Sequence, residues 1–307
     1  RKEAPIVNAR ILKRAKQGGL KVGVIGPRTD LTYEYEYIGA GPQSLKELGS
    51  FGDVLKNASR PMIVVGQGAL SRKDGAAVLA EALSLARSIG AISGEWNGFN
   101  VLHTAAARVA GLDLGLVPGE GGRDVEGILE GASSGEIDLV HLLGADEIDM
   151  NRLGKAFVIY QGTHGDAGAH RADVILPGAA YTEKDATWVN TEGRVQLGRR
   201  AVFPPGSARE DWAILRALSG VLGKTLPYDD LAAVRAAMQA DAPHFAVTDI
   251  VTPASEMPSL PGGALDAAPF ETPVRDFFMT NPIARASAVM AECSAGRAAA
   301  ARIQAAE

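Results

Sequence analysis

The most constraining feature of this sequence is a set of short apolar runs. They are Pro61-Met62-Ile63-Val64-Val65-Gly66, then Ile137-Asp138-Leu139-Val140-His141-Leu142-Leu143-Gly144, Ala156-Phe157-Val158-Ile159-Tyr160 and Ala172-Asp173-Val174-Ile175-Leu176-Pro177. Each is too short for an ordinary helix and ends at Gly, Tyr or Pro. The first is continuously apolar, as expected of a parallel strand covered on both faces. Helical or loop segments separate the runs. The reading is therefore α/β, with Rossmann-like, largely parallel, doubly wound sheet structure and flanking helices.

The rest of the chain fits this plan. Residues 5–17 read as a helix beginning near Pro5, stopped by Gly18-Gly19, and residues 20–25 as a strand. The strand that should precede that helix is missing. The start Arg1-Lys2-Glu3-Ala4-Pro5 carries neither initiator Met nor signal segment, so the chain is expected to be incomplete. Residues 74–89 read as a helix with Asp74 as its N-terminal charge, and residues 100–111 as a short helical stretch. Residues 187–197 form a hairpin, and 207–220 and 228–240 form helices. Residues 252–273 form a Pro-rich irregular arm, and 283–306 an Ala-rich helix. Three regions follow: 1–59 as the end of a Rossmann-like lobe, 60–225 as a second α/β lobe with the hairpin, and 226–307 as a helical and Pro-rich extension.

Composition removes several function classes. The formal net charge is −5, from 31 basic and 36 acidic residues, which is no footprint for nucleic acid. No run approaches the roughly 18 apolar residues of a spanning helix. One cysteine, Cys293, can neither hold an iron–sulfur cluster nor make an internal disulfide, and the five histidines are scattered. There is no Gly-x-Ser-x-Gly elbow and no Gly-x-x-x-x-Gly-Lys-Ser/Thr loop.

Two turns invite a functional reading. Gly66-Gln67-Gly68-Ala69-Leu70-Ser71 follows a strand and precedes a helix, as a dinucleotide-binding turn does. Ser71 stands where the third glycine belongs, and the helix is expected several residues later. Gly162-Thr163-His164-Gly165-Asp166-Ala167-Gly168-Ala169-His170 lies at a strand's carboxyl end, where open α/β sheets bind ligands. His164 and Asp166 suit acid–base work and, with His170, metal binding; a flexible loop with His164 bonded locally is the plainer reading. Glu183-Lys184-Asp185 reads as a solvated turn, and Asn190, Glu192 and Arg194 as turn residues.

Longer stretches carry a resemblance. Residues 160–166, 172–184 and 189–196, the run Pro205-Gly206-Ser207-Ala208-Arg209-Glu210-Asp211-Trp212, and residues 276–287 (Asp276 to Ser287) together resemble the large, 75-kDa-type iron–sulfur subunits of respiratory NADH:quinone oxidoreductase (complex I). Residues 1–11 and Leu31-Thr32-Tyr33 fit as well, so the resemblance spans nearly the whole chain. It implies a molybdopterin-oxidoreductase-like fold with a C-terminal arm and helix. It also implies [2Fe-2S] and [4Fe-4S] clusters on a parent subunit, bound upstream of Arg1 and not in this segment.

The implied role is a non-catalytic, structural one in the peripheral arm of an inner-membrane complex. That arm lies on the cytoplasmic side in a bacterium or the matrix side in a mitochondrion. The implied partners are other complex I subunits and the cluster-bearing part of the same subunit, with no nucleic acid and no membrane insertion. In molybdopterin enzymes a strand end reading Asp-Pro-Arg helps hold the cofactor's nucleotide; here it reads Gly26-Pro27-Arg28. Gly66, Gly68, His164 and Asp166 are then vestigial cofactor-site candidates, with no catalytic and no metal residues. Residues 252–282 and the final helix are expected to contact partners. The alternatives are half of an active molybdopterin oxidoreductase, or a nucleotide-binding dehydrogenase using Gly66 to Ser71.

Overall fold

A computed structural model describes residues 1–94, 96–251 and 257–306, with side chains to 299. Positions 252–256 of the Pro-rich stretch lie outside the described residues. The chain divides into two compact units. One comprises residues 1–109, 191–193 and 251–275; the other comprises 110–190, 194–250 and 276–307.

In the first unit α1 (Pro5–Ala15) leads to β1 (Gly23–Ile25), which pairs in parallel with β2 (Glu36–Gly39). After α2 (Phe51–Lys56), β3 (Ile63–Val65) is followed at once by α3 (Gln67–Leu70) and α4 (Gly75–Ser88). β4 (Phe99–Val101) then pairs in parallel with β3. Val78, Ala82, Leu83 and Ala86 of α4 are buried at the spacing of one helical face. The residues before α5 (Arg108–Asp113), expected to be helical, include β4 instead. The expected helix after the turn is α4, beginning at Gly75; the short α3, with Gly66 as its extended N-cap, stands between it and β3.

In the second unit α6 (Val125–Ser134) starts with the Asp124 carboxylate accepting the Gly127 N–H at 2.8 Å. It ends at Gly135, whose φ of 84° closes the helix. β5 (Leu139–Leu143), β6 (Phe157–Gly162) and β7 (Val174–Pro177) form a parallel sheet in that order, with α7 (Ala167–Arg171) between the last two. Leu129 and Ala132 of α6 pack with Val140, Leu142, Val158 and Tyr160 of the sheet to make the core. β8 (Ala186–Val189) and β9 (Val195–Gly198) form the expected antiparallel hairpin. α8 (Asp211–Val221), α9 (Leu231–Asp241), α10 (Pro282–Arg285) and α11 (Ala288–Ala306) follow.

The α/β class with largely parallel sheets, flanking helices, an irregular arm and a terminal helix is as the sequence indicates. Three details differ. The strands make separate small sheets, not one doubly wound sheet. Along β5 burial alternates, so Val140 and Leu142 are buried while Leu139 and Leu143 are each 53% exposed. The Ala-rich C-terminal helix is interrupted at Ala286 and Ser287.

Candidate functional site

The two glycine-bearing turns lie in different units. In the first, Gly66 ends β3 and caps α3. The Glu3 carboxylate accepts the Gln67 backbone N–H at 2.6 Å, and the Gln67 side-chain amide donates to the Leu102 carbonyl at 2.5 Å. A helix's first N–H groups attract anions, and here the anion is the chain's own. Gly68 is small for an internal reason: a Cβ there would overlap the Glu271 carbonyl and lie 3.0 Å from Pro273 Cδ.

Glu271 and Pro273 belong to the arm, described here from residue 257 to 275. It lies along the carboxyl ends of β1 and β3. The Phe270 N–H donates to the Ala40 carbonyl at 2.8 Å, and a Cβ added at Gly26, whose φ is 139°, would lie 4.0 Å from Phe270 Cβ. Arg72 donates to the Ala268 and Pro269 carbonyls at 2.8 and 3.0 Å and lies over the Phe270 ring at 5.3 Å. Asp74 does not cap α4 with its side chain. It pairs with Arg72 at 2.8 Å and accepts the Asp266 N–H, and the Arg72 hydrogen bond holds its carboxyl down to about 2. This described part of the Pro-rich stretch therefore docks on its own unit. Gly26-Pro27-Arg28 ends β1 with the Arg28 guanidinium 3.8 Å over the Tyr37 ring.

In the second unit the residues after β6 are not a free loop. The Asp166 carboxylate caps α7 by accepting the Ala167 N–H at 2.9 Å, and it pairs with Arg285 of α10. Burial alone would raise its pKa, but Arg285 and the Ala167 amide outweigh burial and hold it below the ordinary value. Arg285 also reaches Glu147 at 3.0 Å. At the second residue of α7, the Gly168 N–H donates to the buried Asp146 carboxylate at 2.7 Å, and the Tyr160 hydroxyl donates to the same carboxylate at 2.8 Å. Burial, and then this bond, push the Tyr160 phenol above the ordinary tyrosine range. His164 is bonded locally, its Nδ1 lying 2.8 Å from Thr163 Oγ1. His164 and His170 do not join Asp166 as a ligand set: among the described residues no group of three or more His, Cys, Asp or Glu is placed to hold a metal.

The charged run is tied down, not solvated. Glu183 accepts the Ala180 N–H, Asp185 accepts the Arg200 N–H, and Lys184 pairs with Asp211. Asp211 also accepts from the side chain of the fully buried Gln161 at 2.9 Å. Asn190 and Arg194 close the hairpin through main-chain and side-chain bonds. Sequence reasoning misses Glu3, Asp146, Tyr160, Asp211 and Arg285. Their partners lie far away in sequence; only the capping aspartate before α7 is legible locally.

Residues 1–221 match the family described as "Molybdopterin oxidoreductase", and residues 248–293 match a family described as the C-terminal region of an NADH-ubiquinone oxidoreductase subunit. The chain belongs to the molybdopterin oxidoreductase family. A protein named NADH dehydrogenase [ubiquinone] iron-sulfur protein 1, mitochondrial, from Solanum tuberosum is 44% identical over 303 residues, covering 96% of this chain and 40% of that protein. The NADH-ubiquinone oxidoreductase 75 kDa subunit of Reclinomonas americana is 42% identical over 96% of the chain and 43% of its own length. The 78 kDa subunit of Candida albicans is 40% identical over 95% and 41%. The chain thus spans about two-fifths of these relatives.

The residues present do not fit the family's pterin cofactor. A pyrophosphate at either turn would meet a resident carboxylate, Glu3 in one unit and Asp166 with Asp146 in the other. At Gly68 the approach is filled by the arm. No helix among the described residues is long and apolar enough to cross a membrane.

Proposed function

We propose that this chain is a structural, non-catalytic part of the large iron–sulfur subunit of an NADH:quinone oxidoreductase. One observation carries the reading. The segment that matches the C-terminal region of the NADH-ubiquinone oxidoreductase subunit contains the arm that packs along the strand ends of the first unit, where an open α/β sheet would take a ligand. The feature that marks the family is thus also the feature that fills the site. Gly66, Gly68, His164 and Asp166 then serve packing and capping.

In this reading the electrons travel on iron–sulfur clusters held elsewhere in the subunit, upstream of Arg1. The partners are the cluster-bearing part and neighbouring subunits of a peripheral arm, on the cytoplasmic or matrix side of the inner membrane. The chain's contribution is a packed wall beside the electron path.

The test is metal analysis of the natively purified assembly, with intact masses of its components. Abundant iron without molybdenum or tungsten, in a larger parent subunit with many partners, is the expected result. Stoichiometric molybdenum or tungsten overturns the non-catalytic reading.

A further inference from the structure

The second unit carries an open cleft of about 470 Å³ between the segment that leaves β9 and the first turn of α8. That volume lies in the range of small-ligand sites. Phe203 and Pro204 of the segment, Trp212 of α8 and Leu231 of α9 supply its apolar walls. Arg200 and Arg209 bring two guanidinium groups to it.

The walls are fixed before any guest arrives. The Ala201 and Val202 N–H groups both donate to the Thr182 carbonyl, at 2.8 and 3.2 Å, and Pro204-Pro205 follows at once, so Phe203 is pinned from both sides. Its ring is 79% exposed, with the Arg200 guanidinium 4.5 Å from the ring centroid. The Arg209 backbone donates to the Pro177 carbonyl at 3.1 Å and accepts from the Ala179 N–H at 2.8 Å. A flexible loop would tuck such a phenylalanine away; a pinned one stays available, and its ordering cost is met on folding.

The charges of the cleft are spent unevenly. The Asp185 carboxylate accepts the Arg200 backbone N–H at 2.9 Å, and the Glu210 carboxylate accepts the Trp212 indole N–H at 2.7 Å. Arg200 stands 4.0 Å from Glu210, beyond hydrogen-bond reach. The Arg209 guanidinium donates to its neighbour's carbonyl, Ala208, at 2.8 Å and has no carboxylate partner among the described residues. The unspent capacity is therefore guanidinium N–H.

We propose that this cleft binds a small aromatic carboxylate, its ring against Phe203 and Trp212 and its carboxylate on Arg209 and Arg200. The guanidinium fork matches the two oxygens of a carboxylate, and the exposed ring offers a face for stacking. A phosphate or a dicarboxylate suits the cleft less, because its second charge would meet Asp185 and Glu210. The site shares no residue with the two glycine-bearing turns and does not depend on the reading of the chain as a structural part.

The test irradiates the natively purified protein with 4-benzoylbenzoate, an aromatic carboxylate that crosslinks to nearby C–H bonds, and maps the adducts by peptide mass spectrometry. Adducts are expected within residues 200–213, falling about tenfold in excess benzoate and in Arg209→Ala, as loss of a charge-assisted bond requires. Arg209→Lys, which keeps the charge and loses the fork, should lie between. Phe203→Ala should lower labelling and leave Tm unchanged, since that side chain is so exposed. Equal labelling by the uncharged 4-methylbenzophenone overturns the proposal, as does labelling that Arg209→Ala leaves intact or an absence of adducts in this stretch. Phenyl phosphate displacing the probe at a tenth of the benzoate concentration also overturns it, and assigns the cleft to phosphate esters.

Discussion

Glu3 and Gln67 meet across 64 positions of sequence, the carboxylate of the first accepting the backbone N–H of the second at the start of a helix. This contact converts an anion-accepting turn into an internal joint. Glu3→Ala is expected to destabilise the first unit by about 0.5–2 kcal/mol, as loss of a helix cap does. Hydrogen exchange at the Gln67 amide should quicken, and millimolar NAD should restore nothing. Stabilisation of the variant by NAD would revive a nucleotide-binding turn.

Gly68→Ala is predicted to be worse than Gly66→Ala. The new Cβ at position 68 strikes the rigid Glu271 carbonyl, whereas at position 66 it meets the movable end of Glu3 at 2.7 Å. The first variant should cost about 1–3 kcal/mol and expose residues 257–275 to limited proteolysis. Equal protease resistance of both variants would contradict the packing role of Gly68.

Tyr160→Phe removes one of two donors to the buried Asp146 and should cost about 1–3 kcal/mol in a urea titration. The phenol's raised pKa has a definite sign. Its stabilisation is complete below about pH 10, the unfolded tyrosine value, and is lost as pH climbs through the higher folded value. The variant should therefore show a flatter loss of stability above pH 10 than the parent chain.

Acid should loosen the arm first. The Asp74 carboxyl is held near 2 by Arg72 and then by the Asp266 amide, against an ordinary value near 3.8. A depressed carboxyl stabilises above its unfolded value and loses that effect as pH falls through the folded one. Exchange at the Asp266 amide should accelerate between about pH 4 and pH 2, and Asp74→Asn should abolish that pH dependence. Acceleration unchanged in the variant would place the acid-sensitive contact elsewhere.

Much of the scaffold is legible in the sequence because it follows local rules. The apolar runs at 137–144, 156–160 and 172–177 contain β5, β6 and β7, and the 74–89 stretch contains α4. β2 and β4 are harder to see because each has only three or four residues, with Glu36 and Asn100 breaking the apolar signal. α6 is hidden by Gly127, Gly131 and two serines, poor helix formers that tertiary packing overrides.

The site is less legible for a geometric reason. Gly66, Gly68, His164 and Asp166 do sit at turns, but what fills each turn comes from Glu3, Glu271 and Arg285. Asp166 and Arg285 stand 119 positions apart, and no local period reports a pair of that span.

The close pass of Glu271 over Gly68 also behaves as a ratchet. Removing Glu3 frees the start of α3 but leaves the Glu271 carbonyl and Pro273 over the turn; displacing the arm leaves the Glu3 carboxylate in place. Each obstruction is also a support, so clearing either one weakens the unit before any guest arrives to stabilise it. A ligand could reach this edge only if both Glu3 and the arm moved away together.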